Sequence, residues 1–420
     1  MREAVRSAFE SEQVPFLKAL VEQPSCTREP EDVEAAARLV DAMAARVGLS
    51  RELVADPSGR FAAHRIYATP RASEGGKALA LVGHVDTVFP RAMGFSGFSR
   101  EGDVARGPGV LDMKSGLSAI LFSLSAIREA APELFASLAA RFVCVSDEEV
   151  GSPSSAPLWK ELAASTDAAL VFEAGRTEDK IVTRRKGGAV FTIEVRGKAA
   201  HAGNRHADGV SAIHGLALLV ARLEALTDYA RGVTVNVGLI EGGTAKNTVP
   251  DRARCEIDAR FVRAEDGVWL DQTIASLARD PFAGLEGVPS KLGALALTVG
   301  GGITRPPMEA TDASQALRLA YEKHASLAGL GTGEAPLQGG GSDASLLAAC
   351  GVPSIDGLGP YGQHFHEREE WCSLESLKKR TEALATFLID RVTLRERESI
   401  LPGRAERSGT RSSVTGDGKR

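Results

Sequence analysis

The chain has 420 residues, 43% of them hydrophobic and 25% charged, with a formal net charge of −5. That length fits two domains with a sizeable core, and the slight acidity without a long basic run argues against nucleic acid as the main partner. No apolar stretch is expected to span a membrane, "MREAVRSAFESEQ" lacks the apolar core of a signal peptide, and five scattered cysteines without CxxC spacing read as reduced thiols, so a cytoplasmic protein making no membrane contact is expected.

Residues 3–48 carry helical patterns with breaks at Pro15 and Pro24, and "EDVEAAARLVDAMAARVG" is an amphipathic helix closed by Gly48. Short apolar runs then alternate with helices: strand "ALALVGHV", helix "KSGLSAILFSLSAIREA", strand "ARFVCVSDEE" (140–149), helix "APLWKELAAS" and strand "DAALVFEA" (167–174). This rhythm predicts an α/β fold, a mostly parallel sheet with helices on both faces. Near Gly187 the pattern changes. An alternating strand (188–197), the helix "GVSAIHGLALLVARLEAL", two strands, a polar helix (265–279) and a strand (294–300) give the order of a ferredoxin-like α+β unit. The expected division is a discontinuous first domain, 1–186 and 299–396, an inserted domain, 187–298, and a polar tail, 397–420, expected to be disordered.

The chemistry-bearing residues cluster at strand ends. In "LALVGHVDTV" (79–88), His84 and Asp86 emerge on one side of an extended strand at its carboxyl end, where α/β proteins build sites. The glycine-rich "RGPGVLDMKSG" leaves Asp112 just before a helix. "VCVSDEEVGS" ends in Asp147, Glu148 and Glu149, "ALVFEAG" in Glu173, and "GPYGQHFHEREEW" places His364 and His366 in a loop. Each alone has a plain reading, Asp112 as a helix cap and the Glu pair as a solvated strand end. Together they are a set of carboxylates whose joint desolvation needs a cation. Oxygen and imidazole donors without cysteine suit zinc, cobalt or manganese. Five ligands exceed one tetrahedral ion, so two ions sharing a carboxylate, with one carboxylate left to take a proton from water, is the economical arrangement. Strand alternation would send Glu148 and Glu149 in different directions, one as base and one as ligand.

These motifs, together with "GKAAHAG", resemble the dinuclear-zinc exopeptidase and deacylase family in the same order along residues 10–392, and "GGITRPPMEA" and "LQGGGSDASLLA" resemble its glutamate carboxypeptidase branch. The resemblance implies a hydrolase that cleaves an amide bond beside a free carboxylate, releasing a C-terminal amino acid such as glutamate. The alternative is an N-acyl-amino-acid deacylase of the acetylornithine or succinyl-diaminopimelate type. It implies two divalent ions per subunit, zinc or else cobalt or manganese, with His84 and Glu173 on one, Glu149 and His366 on the other, and Asp112 between them. Glu148 would be the general base, Asp86 the carboxylate that orients His84, and the Asp112–Met113 peptide would be cis. His366 is preferred to His364 because Glu370 follows it by four residues, as in the family pattern. His201 would reach the partner subunit's site, implying a homodimer through 187–298. Asn247, Arg260, Arg305 and Gly340 would bind the small-molecule substrate, Arg305 at its free carboxylate, with Lys180, Arg184 and Arg185 as candidate cations for an acidic side chain. A metal-free binding protein and a single-metal amidohydrolase are the rival readings.

Overall fold

The computed structural model describes residues 1–400, with side chains through residue 394. Its central sheet has six strands in the order β1 (Ser50–Val54), β2 (His64–Ala68), β6 (Ala140–Val145), β3 (Ala78–His84), β7 (Thr166–Val171) and β14 (Ser354–Ile355). From β6 to β14 every neighbouring pair is parallel, whereas β1 and β2 join antiparallel at one edge. Every residue of β3 is buried, as a central parallel strand covered on both faces requires. Separate apolar cores pack on the two faces. The expected mainly parallel sheet between helices is the one observed.

A second sheet, antiparallel throughout, has the order β10 (Thr234–Gly242), β12 (Arg252–Phe261), β8 (Gly187–Arg196) and β13 (Ala296–Arg305). Helices Ala212–Glu224 and Ala264–Arg279 cover one face of it and share its own core. β12 alternates buried and more exposed residues because only that face is covered. This is the ferredoxin-like order expected. β13 starts two residues later than the pattern suggested and runs on to Arg305, so the expected boundary at 298–299 falls inside a strand. A two-residue ladder pairs β9 (Ala200–His201) with β11 (Thr248–Val249), and a small sheet joins β15 (Gly362–Gln363), β16 (Trp371–Ser373), β5 (Val104–Arg106) and β4 (Ser99–Glu101).

Three local expectations need correction. Pro15 does not break the first helix: it sits in the first turn of Val14–Glu22, where its missing N–H costs nothing, and a wider π-turn over Phe9–Gln13 precedes it. The stretch Val110–Ala130 is long and apolar enough to cross a membrane, although no such stretch was expected. It is almost wholly buried here, and its helix Ser115–Ala130 is apolar all round because protein covers it all round. The last helix, Leu374–Ile400, runs into the segment expected to be disordered, and the rest of that segment lies outside the described residues. Helix Pro30–Val47 ends as expected at Gly48, whose φ of 81° satisfies the left-handed cap. The five cysteines are free, four of them buried.

Candidate metal centre

Parallel pairing in near register brings the carboxyl ends of β6, β3 and β7 level, His84 opposite Val145 and Val82 opposite Val171. His84 is the last residue of β3, and Glu173 lies just past β7. Glu148 and Glu149 are not on a strand as expected: β6 stops at Val145 and the pair occupies a 3₁₀ turn, Glu148–Val150. The two side chains still diverge, and the turn is what separates them.

Asp112 sits in a turn whose backbone is gripped from a distance. The fully buried Glu370 carboxylate accepts from the N–H groups of Gly109 (2.8 Å), Leu111 (2.8 Å) and Asp112 (2.9 Å). The Asp112–Met113 peptide is cis. His366, at a φ of 67°, comes from the loop after β15.

These residues converge. His84 Nε2 lies 3.3 Å from Asp112 Oδ1 and 3.7 Å from Glu173 Oε1. His366 Nε2 lies 3.1 Å from Glu149 Oε2 and 3.5 Å from Asp112 Oδ2, so the two oxygens of Asp112 face different imidazoles. Ligand atoms of His84, Asp112 and Glu149, and of His84, Glu148 and Glu173, each fall within 4.8 Å of one another. His84 Nε2, Asp112 Oδ1 and Glu149 Oε1 are buried without a hydrogen-bond partner. Unpaired buried polar atoms of this kind are costly unless something occupies the space between them.

Electrostatics agree. Burial pushes Glu148 and Glu149 up to about 7 and Glu173 well above the usual carboxylate range. Burial works the same way on Asp112, but His366 and His84 hold it below its ordinary value. Hydrogen bonds to Asp112 and Glu149 raise His366 to about 10, and His84, despite its burial, is raised by Asp112 and Asp86. Protons stand in for cations here, and oxygen and imidazole donors with no thiolate fit divalent ions of the zinc, cobalt or manganese type.

Asp86 acts at two places. Its backbone carbonyl takes the hydrogen bond from His84 Nδ1 (3.0 Å), with its carboxylate 3.4 Å from that nitrogen. The carboxylate accepts from Thr27 Oγ1 (2.7 Å) and from the N–H groups of Glu148 and Glu149 (3.3 and 3.2 Å), tying the acidic turn to β3. His364 turns outward to Glu367 (2.7 Å).

Arg305 stands inside the site. Its guanidinium is 3.0 Å from Glu148 Oε1, 3.0 Å from Ser152 Oγ and 3.5 Å from Asp343 Oδ1. The buried Asp343, pushed up to about 7 by burial, and Ser152 join the site without being foreseeable from "GGGSDAS" or "DEEVGS", since no local pattern says which strand end a loop will meet. Gly341 leaves room for the Arg305 stem, since a Cβ there would lie 2.3 Å from Arg305 Cδ. The carbonyl of Gly340 accepts from Arg185 Nη1 (3.1 Å).

The other expected substrate residues lie on or beside the second sheet. The β9–β11 ladder sets His201 opposite Thr248, next to Asn247, and both His201 and Asn247 are exposed with no contact to the His84 cluster among the described residues. His201 Nδ1 accepts from the N–H groups of Gly203 and Asn204 (3.1 Å each), which leaves the proton of the neutral ring on Nε2, facing out. Arg260 pairs with both oxygens of Asp258 (2.8 and 2.7 Å) and shares with Arg305 a cross-strand position beside Gly188.

Residues 183–285 match the peptidase dimerisation domain family. The chain is 30% identical over 323 residues to carboxypeptidase G2 of Pseudomonas sp., an alignment covering 75% of this chain and 74% of that one. It is 26% identical over 330 residues to succinyl-diaminopimelate desuccinylase of Novosphingobium aromaticivorans, covering 74% and 81% respectively. Among solved structures, aminopeptidase PepT from Bacillus cereus superposes with a TM-score of 0.75 at 22% identity over 91% of this chain and 99% of that one. A dinuclear metal-binding peptidase of the M20 family from Bacillus subtilis gives a TM-score of 0.66 at 15% identity, covering 92% and 99%.

Proposed function

This chain belongs to the M20 family of peptidases, a hydrolase of carboxypeptidase-like kind, and from that premise we propose that it cleaves an amide bond beside a free carboxylate, releasing the C-terminal amino acid of a peptide or of an N-acyl amino acid. The observation that carries this reading is the convergence of His84 Nε2, Asp112 Oδ1 and Glu149 Oε1, buried and unpaired, on one space between four carboxylates and two imidazoles. His84 and Glu173 would hold one divalent ion, Glu149 and His366 a second, and Asp112 both. Two such ions, zinc in the first instance, would supply Lewis acidity that activates water and polarises the amide carbonyl.

The remaining chemistry belongs to the chain. Glu148, with a proton affinity near neutrality, takes a proton from the attacking water and hands it to the departing nitrogen as the C–N bond breaks. Asp86 keeps the Glu148–Glu149 turn and the His84 ring in place. Residues 187–298 would form the dimer contact, and the partner subunit's His201 would offer its outward Nε2–H to the tetrahedral oxyanion. Asn247, Arg260 and Gly340 would meet the substrate around it, with Arg305 at its free carboxylate.

The test is metal titration of chelator-stripped protein with a panel of dipeptides and N-acyl amino acids. Activity should return with two ions per chain, and Glu148→Gln should bind both yet lose kcat by about 10²–10⁴-fold. Activity in chelator, saturation at one ion, or a Glu148→Gln enzyme near wild type would each sink this mechanism. The likeness to a desuccinylase keeps a second reading, a deacylase; turnover of N-acyl amino acids with none of dipeptides would select it.

A further inference from the structure

We propose that Thr27 is a positioning residue of the candidate metal centre. Its hydroxyl, at the end of a strap made by residues 23–27, fixes the Asp86 carboxylate and through it the His84 ring and the Glu148–Glu149 turn. The inference rests on the function proposed above and deepens it.

The strap is anchored at both ends. Helix Val14–Glu22 stops at Gln23, whose carbonyl accepts from Nζ of the wholly buried Lys114 (2.9 Å). A cation suits that place, because the last carbonyls of a helix gather negative charge. Lys114 lies two residues past Asp112, and its own N–H donates to Gly109 O (2.9 Å), closing the turn that carries Asp112. From Pro24 the chain runs beside the residues that follow β3: Thr87 N donates to Ser25 O (2.8 Å) and Thr27 N to Thr87 O (3.1 Å). Thr27 Oγ1 then donates to Asp86 Oδ2 (2.7 Å); Thr87 O lies farther off, at 3.4 Å, so the proton belongs to the carboxylate. The strap thus links the Asp112 turn to the carboxylate behind His84 and the acidic turn.

Asp86 depends on this contact. It is wholly buried, and the other partners of its carboxylate are more distant: the N–H groups of Glu148 (3.3 Å) and Glu149 (3.2 Å), and His84 Nδ1 (3.4 Å). A hydroxyl bound to a charged acceptor makes the stronger bond, and it lands on the same oxygen that accepts from Glu149. Without it the carboxylate can turn about its side-chain bonds. The backbone of Glu149 and the ring of His84, one proposed ligand of each ion, then lose their common anchor. Packing alone does not call for the oxygen, since valine has the outline of threonine without its donor.

The experiment titrates chelator-stripped wild type, Thr27→Val and Thr27→Ser with zinc against a chromophoric competitor. It also records the absorption of the cobalt-loaded proteins and measures kcat and KM on dipeptides and N-acyl amino acids. Thr27→Val should bind zinc about 10–100-fold more weakly, shift the cobalt spectrum and lower kcat more than it changes KM, while Thr27→Ser stays within about threefold of wild type. Wild-type affinity and spectrum in Thr27→Val overturn the proposal. So does a Thr27→Ser protein as impaired as Thr27→Val, which would show that the methyl group matters and the hydroxyl does not. Should Thr27→Val fail to fold, Thr27→Cys, a weak donor close to serine in size, is read in its place against the same outcomes. Wild type that binds zinc yet hydrolyses neither substrate class fails the proposed function alone, because the affinities still decide the role of Thr27. Wild type that takes up no metal overturns both.

Discussion

At Glu148 two influences oppose each other: burial lifts its proton affinity to about 7, while Arg305 at 3.0 Å favours the carboxylate. The same lift acts on Glu149 and Asp343, also to about 7. Because the folded state binds these protons more tightly than the unfolded chain, their contribution is full below about 4.5 and is lost as pH rises through about 7. His366, raised to about 10, loses its contribution in the same direction. Metal-free protein should therefore melt at a lower temperature at about pH 8 than at about pH 6, and zinc should raise the melting temperature more at the higher pH, since ligands must shed protons to bind. Differential scanning fluorimetry with and without chelator measures this; a metal-free melting temperature that climbs with pH would contradict it. Residue types and order already pointed to this cluster, whereas Arg305's place beside Glu148 was hidden, because nothing local says that β13 ends at the acidic turn.

The turn carrying Asp112 depends on an element more than 250 residues away, for Glu370 satisfies three of its backbone N–H groups. Removing that carboxylate would leave buried donors unpaired, so Glu370→Ala should cost roughly 2–4 kcal/mol and weaken metal retention at Asp112. Urea unfolding and metal analysis test this; unchanged stability with both ions retained would show that the turn holds itself. Spacing from His366 singled out Glu370 but not what it does, since three amide contacts across such a distance leave no local trace. Sequence and structure differ over element boundaries where geometry tightens: the pattern reads the Glu148–Glu149 pair as strand and the chain makes a turn, because a strand end and a 3₁₀ turn carry the same polar residues.

For the whole molecule, the exposed His201 has no partner in the candidate metal centre among the described residues of its own chain, and its segment falls within the match to a dimerisation domain. If it serves the other subunit, Glu148→Gln and His201→Ala, each nearly inactive, should recover about a quarter of wild-type activity when mixed and allowed to exchange, because half of the dimers then hold one intact site. Activity assays on exchanged mixtures, with exchange followed by mass, check this; no recovery would confine His201 to its own subunit or remove it from catalysis.

Apolar periodicity by itself determined that this chain builds a covered parallel sheet and an antiparallel unit with helices on one face, because strand and helix periods record which faces are buried. Histidines and carboxylates at strand ends likewise pointed to a candidate cation site. Only tertiary structure decided which of them meet, that Glu370 grips the Asp112 turn, and that Arg305 comes to rest beside Glu148. Those facts depend on the register and curvature of segments far apart in the chain, and no local preference encodes either.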